Sequence, residues 1–228
     1  LSAREAVRTL TQAGLNVVWT SDLQPFRTRK DRILNGAHTM MALAAYLAGL
    51  DTVRECVDDP ILGRYVRRGI FDEILPLLPL PAEETRAYAE DVMERLANPF
   101  IKHNLINIAL NSVSKYRVRV LPSLLEYRTA NHRPPPALTF SLAALLAFYR
   151  GTEIRDGALV GARAHGPYAA KDDAFVLQAL AEQWRAYAER PDASTLCRAI
   201  LARTDFWGED LSSLPDLVEA VGAHLSRI

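Results

Sequence analysis

Two cysteines in 228 residues, Cys56 and Cys197, are too few and too far apart for a disulfide framework or a CxxC metal knuckle. The simplest expectation is a reduced, cytoplasmic setting without a structural metal. Neither sign of charge is in excess, since 27 Lys and Arg face 27 Asp and Glu. A balanced chain offers no electrostatic pull toward nucleic acid or an anionic bilayer. No apolar run is long enough to span a membrane; the longest, MMALAAYLAGL, covers only Met40 to Leu50. The opening LSAREAVRTL is polar and lacks a signal-peptide core. It starts at Leu1 rather than Met, which hints at a piece of something longer. No GxGxxG, P-loop, HExxH or GxSxG occurs, so none of the short signatures for dinucleotide, triphosphate, zinc or serine chemistry is present. What the chain does have is apolar residues, 49% of the total, enough to bury a sizeable core.

Helical periodicity organises most of that content. In AEETRAYAEDVMERLANP, Tyr88, Val92 and Leu96 recur every four residues; Pro81, Glu83 and Glu84 suit a first turn, and Asn98-Pro99 a stop. DDAFVLQALAEQWRAYAERP repeats the pattern through Leu177, Leu180, Ala181, Trp184 and Tyr187, and Pro191 ends it. Further helices are expected at about 58–75, 103–116, 138–150, 194–203 and 213–226. Pro134 to Pro136 mark a rigid break. Only LNVVWTSDL, Leu15 to Leu23, reads as a strand, and it needs partner strands to satisfy its backbone. The expected fold is mainly α, multi-helical, with a short β segment near the N-terminus.

Polar chemistry gathers at RKDRILNGAHT, residues 29 to 39. On a regular helix Asn35 lies about 140° and His38 about 80° round from Lys30, so all three fall on one broad face. Gly36 between them would let a ligand approach the backbone. From Met40 the helix is apolar all round, which places the polar cluster where surface meets core. A lysine partly desolvated there, beside Arg27, Arg29 and Arg32, suits proton exchange near neutral pH. Asn35 would donate to an oxygen gaining negative charge, and His38 would hold a substrate hydroxyl. A solvated basic turn, with Asn35 and His38 satisfied locally, fits the same spacing. A second stripe, Asn104, Asn107, Asn111 and Lys115, steps by three, four and four along HNLINIALNSVSKYR. It reads as a hydrogen-bonding wall or as an ordinary exposed face, with Lys115 as a cation for a carboxylate or a donor to hydroxyls. His132, His165 and His224 have no partners in sequence.

PFRTRKDRILNGAHT resembles the long-chain mannitol dehydrogenase family, whose C-terminal domain carries a Lys, an Asn five residues on and a His three further. RILNGAHT, AGLDTVRECVDDP, NPFIKHNLINIALNSVSKYRVRVLPSLLEY, KDDAFVL and WGEDLSSLPDLVEAV resemble, in the same order, the tagaturonate-reducing branch of that family. The resemblance implies Lys30 as general acid/base, Asn35 as carbonyl-polarising donor, and His38 as a substrate contact. It also implies Lys115 as a second substrate-binding lysine, and Asn111 one turn before it is taken as a further contact. It implies NAD as cofactor, held by an N-terminal Rossmann domain, and a sugar-acid substrate. Residues 1–28 would then be a remnant of, or junction to, that domain, and 29–228 the helical substrate domain, inactive alone. One departure from the mannitol-type pattern is Asn107, where an Arg commonly stands. Tagaturonate, fructuronate and neutral ketoses remain open as substrates, as do Lys115, Arg29 and Arg117 as the carboxylate's partner. A stand-alone helical scaffold without activity is the competing reading.

Overall fold

Two apolar stretches decide where the core lies. Gly36–Leu47 and Pro136–Phe148 carry apolar residues around almost their whole circumference, so neither helix has a solvent face to offer. In the computed structural model, which describes residues 8, 12–14, 17 and 19–228, both are buried. Only His38 and Leu47 in the first, and Pro136 and Phe140 in the second, escape full burial.

In chain order, α1 (Gln24–Lys30) passes through a π-turn (Asp31–Asn35) into α2 (Gly36–Leu47) without a break. α3 (Val53–Asp58) opens on a capping box between Thr52 and Glu55. α4 (Leu62–Arg68) runs into a second π-turn (Gly69–Ile74) and a short 3-10 turn, Leu75–Leu77. Then come α5 (Ala82–Leu96), α6 (Leu105–Ile108), α7 (Ser112–Arg119), α8 (Leu121–Asn131) and α9 (Pro136–Phe148). An antiparallel sheet of β1 (Ile154–Arg155), β2 (Ala158–Arg163) and β3 (Gly166–Ala170) precedes α10 (Ala174–Glu189), α11 (Ala193–Leu201), α12 (Thr204–Trp207) and α13 (Pro215–Leu225). α9 packs on α2 and α13, while α6 and α7 pack on α2.

The start of α9 is buried, and its free amides need an acceptor. Glu73, 1% exposed and carried by the second π-turn, supplies it: the Ala137 and Leu138 N–H groups donate to its two oxygens at 2.8 and 2.9 Å. Burial raises the Glu73 pKa above its ordinary value, against the lowering by those two amides and by Arg68. The sheet is held to the other end of the core by aromatic packing. Tyr168 stacks on Phe148 at 4.9 Å, and Arg163 lies 3.7 Å over Tyr46. Gly161 is required there, because a Cβ would come within 2.4 Å of the Tyr168 ring. Cys56 and Cys197 are buried and unpaired, and burial pushes each thiol up to about 12. No described helix is long and apolar enough to cross a membrane.

Several expectations need correction. Residues 15, 16 and 18 of the expected strand lie outside the described residues, while Trp19–Leu23 are not in a strand. The sheet forms instead at 154–170, where a two-residue Asp156-Gly157 turn, φ 51 and 74, brings β1 and β2 together. The helix expected over 103–116 is two helices, α6 and α7. α3 and α8 appear where none was expected.

Candidate active site

The π-turn sits in the middle of RKDRILNGAHT. Its bonds reach five residues back, as from the Gly36 N–H to the Asp31 carbonyl. In so wide a turn, residues five apart stack, so Lys30 and Asn35 share a side more closely than the roughly 140° of a regular helix allows. Asn35 is half-buried and donates its Nδ2 to Asp31 Oδ1 at 2.7 Å. Arg27 stands 3.8 Å from the other Asp31 oxygen. An amide nitrogen carries two protons, so Asp31 fixes one and leaves the other to donate.

His38, one turn on, is half-buried with Nδ1 2.9 Å from the Leu34 carbonyl. A carbonyl can only accept, so Nδ1 carries the proton and Nε2 is left as an acceptor. Burial lowers the His38 pKa; the Leu34 bond opposes this, and His103 and Arg119 reinforce it. The His103 ring lies 5.1 Å from that of His38.

Two expectations about this segment fail. Lys30 is exposed, lying a turn before Ile33, the first buried residue of this segment. Nor do all its cationic neighbours face it: Arg29 pairs with Glu84 at 2.5 Å and stacks on Tyr88, and Arg32 pairs with Glu126. Gly36 is buried, not open to a ligand. A Cβ there would come 3.3 Å from the Arg119 carbonyl, so its missing side chain lets the end of α7 pack against α2.

α7 brings the second group of side chains. Asn111 lies just before it in the left-handed region, φ 53, a conformation Asn tolerates better than most residues. Its N–H donates to the Lys171 carbonyl at 3.1 Å. The asparagine stripe is therefore not one helix face. Asn104 precedes α6 and bridges to Thr52, and Asn107 is exposed on α6. Lys115 is half-buried and donates Nζ to the Ile108 carbonyl at 3.0 Å. Desolvation lowers its pKa; Arg119 adds to this and Asp172 opposes it. Asp172 accepts from the Tyr149 hydroxyl at 2.5 Å and from the Val113 amide at 3.2 Å, fastening the first turn of α7. Arg119, a turn past Lys115, reaches α2, its Nη1 3.4 Å from Thr39 Oγ1.

His38 thus senses the charges of His103 and Arg119, and Lys115 that of Arg119. His103 and Arg119 were not singled out in the sequence. Arg119 is simply one more step of four beyond Lys115, and His103 immediately precedes Asn104. A separate cleft of about 590 Å³ runs between α6 and the sheet, lined by Asn107, Lys171 and Tyr168; it contains none of Lys30, Asn35, His38 or Lys115.

Residues 22–228 match the family described as the mannitol dehydrogenase C-terminal domain. The chain belongs to this family. Within it, this mannitol dehydrogenase C-terminal domain is 40% identical over 220 residues to an altronate oxidoreductase of Pectobacterium carotovorum subsp. carotovorum (strain PC1), covering 96% of the chain and 44% of that protein. The altronate oxidoreductase of Escherichia coli O1:K1 / APEC is 42% identical over the same shares. The domain therefore spans less than half the length of the curated relatives it matches. Its fold is similar to a Pseudomonas fluorescens mannitol 2-dehydrogenase solved as a ternary complex with NAD and D-mannitol, with a TM-score of 0.77 and 21% identity, covering 94% of this chain and 40% of that one. A D-sorbitol dehydrogenase in substrate-free form gives a TM-score of 0.61 at 17% identity, covering 89% of this chain and 41% of that one.

Proposed function

We propose that this chain is the substrate-binding and proton-transferring part of an NAD-dependent sugar-acid oxidoreductase that reduces tagaturonate to altronate. The observation that carries the reading is the 40–42% identity to altronate oxidoreductases, sustained over 96% of the chain. In such a reaction NADH would supply the hydride to the ketone carbon and leave as NAD. The described residues offer it no dinucleotide fold: their sheet is three-stranded and antiparallel, without a Gly-rich strand-to-helix turn. The cofactor is therefore assigned to an N-terminal Rossmann domain of the full-length enzyme, with residues 1–28 as a remnant of that domain or the junction to it. Phe100 and Ile101, 94% and 61% exposed and next to His103, are apolar groups that such a domain would cover.

In this reading the Lys30 ammonium gives a proton to the oxygen of the former ketone, while the second N–H of Asn35 donates to the same oxygen. Covering by the N-terminal domain would supply the desolvation that this chain alone does not give Lys30. The neutral His38 accepts a substrate hydroxyl at Nε2, and Lys115 with Asn111 holds further oxygens. The test is NADH consumption by the full-length enzyme with tagaturonate. Lys30→Ala is expected to cut kcat by about 10²–10⁴-fold with an unchanged melting profile. A loss smaller than about tenfold removes Lys30 from the acid/base role.

A further inference from the structure

Six arginines among the described residues are half-buried: Arg29, Arg32, Arg119, Arg128, Arg163 and Arg203. Five have a carboxylate, respectively Glu84, Glu126, Asp216, Asp51 and Asp205. Arg119 has none among the described residues. A guanidinium carries five N–H donors, and here its one side-chain bond is the 3.4 Å contact to Thr39, whose own proton goes to the Asn35 carbonyl. A like-charged neighbour worsens the imbalance, for Lys115 lies one turn away on α7. Asp172, the acid whose charge Lys115 senses, already holds Tyr149 and Val113. A partly desolvated cation without a counterion is costly, so this position wants an anion from outside the chain.

We infer that Arg119 is the specificity-determining residue that receives the substrate's carboxylate, at the edge where the end of α7 meets α2. A planar guanidinium fork matches a carboxylate's two oxygens, and a neutral ketose offers it nothing equivalent. The other candidate cations are held, lie elsewhere or lack the fork. Arg29 is held by Glu84 and Tyr88, Arg117 is exposed beside Gly208, and Lys115, with one of its three protons on Ile108, offers a point charge to hydroxyls rather than a planar fork. This inference rests on the oxidoreductase reading and adds to it the group that selects an acid over a sugar.

The test compares tagaturonate with a neutral ketohexose in the full-length enzyme. Arg119→Gln is expected to lower kcat/KM for tagaturonate about 10–100-fold, mainly through KM, with a far smaller loss for the ketohexose. Arg119→Lys keeps the charge but not the fork, and it is expected to fall between wild type and Arg119→Gln. It also serves if the glutamine variant fails to fold by circular dichroism. Arg117→Gln removes the same charge two residues away and is expected to leave the preference intact. Equal losses on both substrates would make Arg119 a fastening between α7 and α2 and overturn the inference, as would loss of preference on Arg117→Gln alone. A wild type that turns over neither ketose overturns the oxidoreductase reading, and this inference with it. A wild type whose preference for the acid survives in both Arg119 variants overturns this inference alone.

Discussion

The two π-turns, Asp31–Asn35 and Gly69–Ile74, are built alike and used differently. Each continues a helix across a widened turn and carries polar side chains to the edge of the core. In the second, Glu73 is 1% exposed and both of its oxygens are taken, by the amides of Ala137 and Leu138. In the first, Asn35 has one N–H held by Asp31 and one to give, and Lys30 makes no side-chain bond among the described residues. Widened turns of this kind occur often at functional sites. Here the turn alone does not distinguish a site from a brace. The difference lies in whether the chain itself uses up the polar capacity it has brought to the boundary.

The sharpest way to break that comparison is Glu73→Ala. It strands two buried amides, at roughly 1–3 kcal/mol each, offset in part by relief of a desolvated carboxylate. Urea unfolding is expected to show a loss of about 2–4 kcal/mol, with kcat of the folded fraction little changed. A loss below about 1 kcal/mol would mean that the cap is not holding α9. Asp31→Ala should do the reverse. Without its orienting acceptor, Asn35 presents its second N–H less often, and kcat should fall about tenfold, or ~1.4 kcal/mol. Unfolding free energy should move by less than about 0.5 kcal/mol, because Asp31 is only partly covered. If kcat holds while stability falls, the first π-turn is a brace too.

How much of this was legible in sequence depended on the range of the interaction. α2 announced itself through all-round apolarity, and α5 and α10 through apolar periods ended by proline. The 103–116 helix was misread because periodicity cannot register one left-handed residue. Asn111 was itself the sign, since asparagine tolerates φ 53 where most residues do not. The sheet was missed although Asp156-Gly157 is a two-residue hairpin signal, because the flanking strands are short and interrupted by Gly161 and Pro167. The removal of Arg29 and Arg32 from the side of Lys30 depended on Glu84 and Glu126. Those acids lie 55 and 94 residues along the chain, beyond the reach of any local pattern. Arg119 was one helical turn from a residue already chosen. Its significance, a missing counterion, exists only once every other half-buried arginine has found one.

The smallest expected effect concerns the imidazole shared by both sides of the first site. Burial lowers the His38 pKa, and the charges of His103 and Arg119 lower it further, against the pull of the Leu34 bond. The unfolded imidazole titrates near ~6.5, so below that value the unfolded chain binds more protons than the folded one. The stability due to His38 is therefore complete above about pH 6.5 and erodes as pH falls through the window beneath it. The same window should govern binding, because a protonated Nε2 can no longer accept a hydroxyl. An NMR titration should place the His38 midpoint below the free-histidine value, and KM should rise as pH passes beneath it. Arg119→Gln removes one of the repelling cations and should move that midpoint upward. A midpoint unmoved by Arg119→Gln would mean that α7 and α2 do not share one electrostatic site, and the likeness between His38 and the other unspent groups of the first π-turn would fail with it.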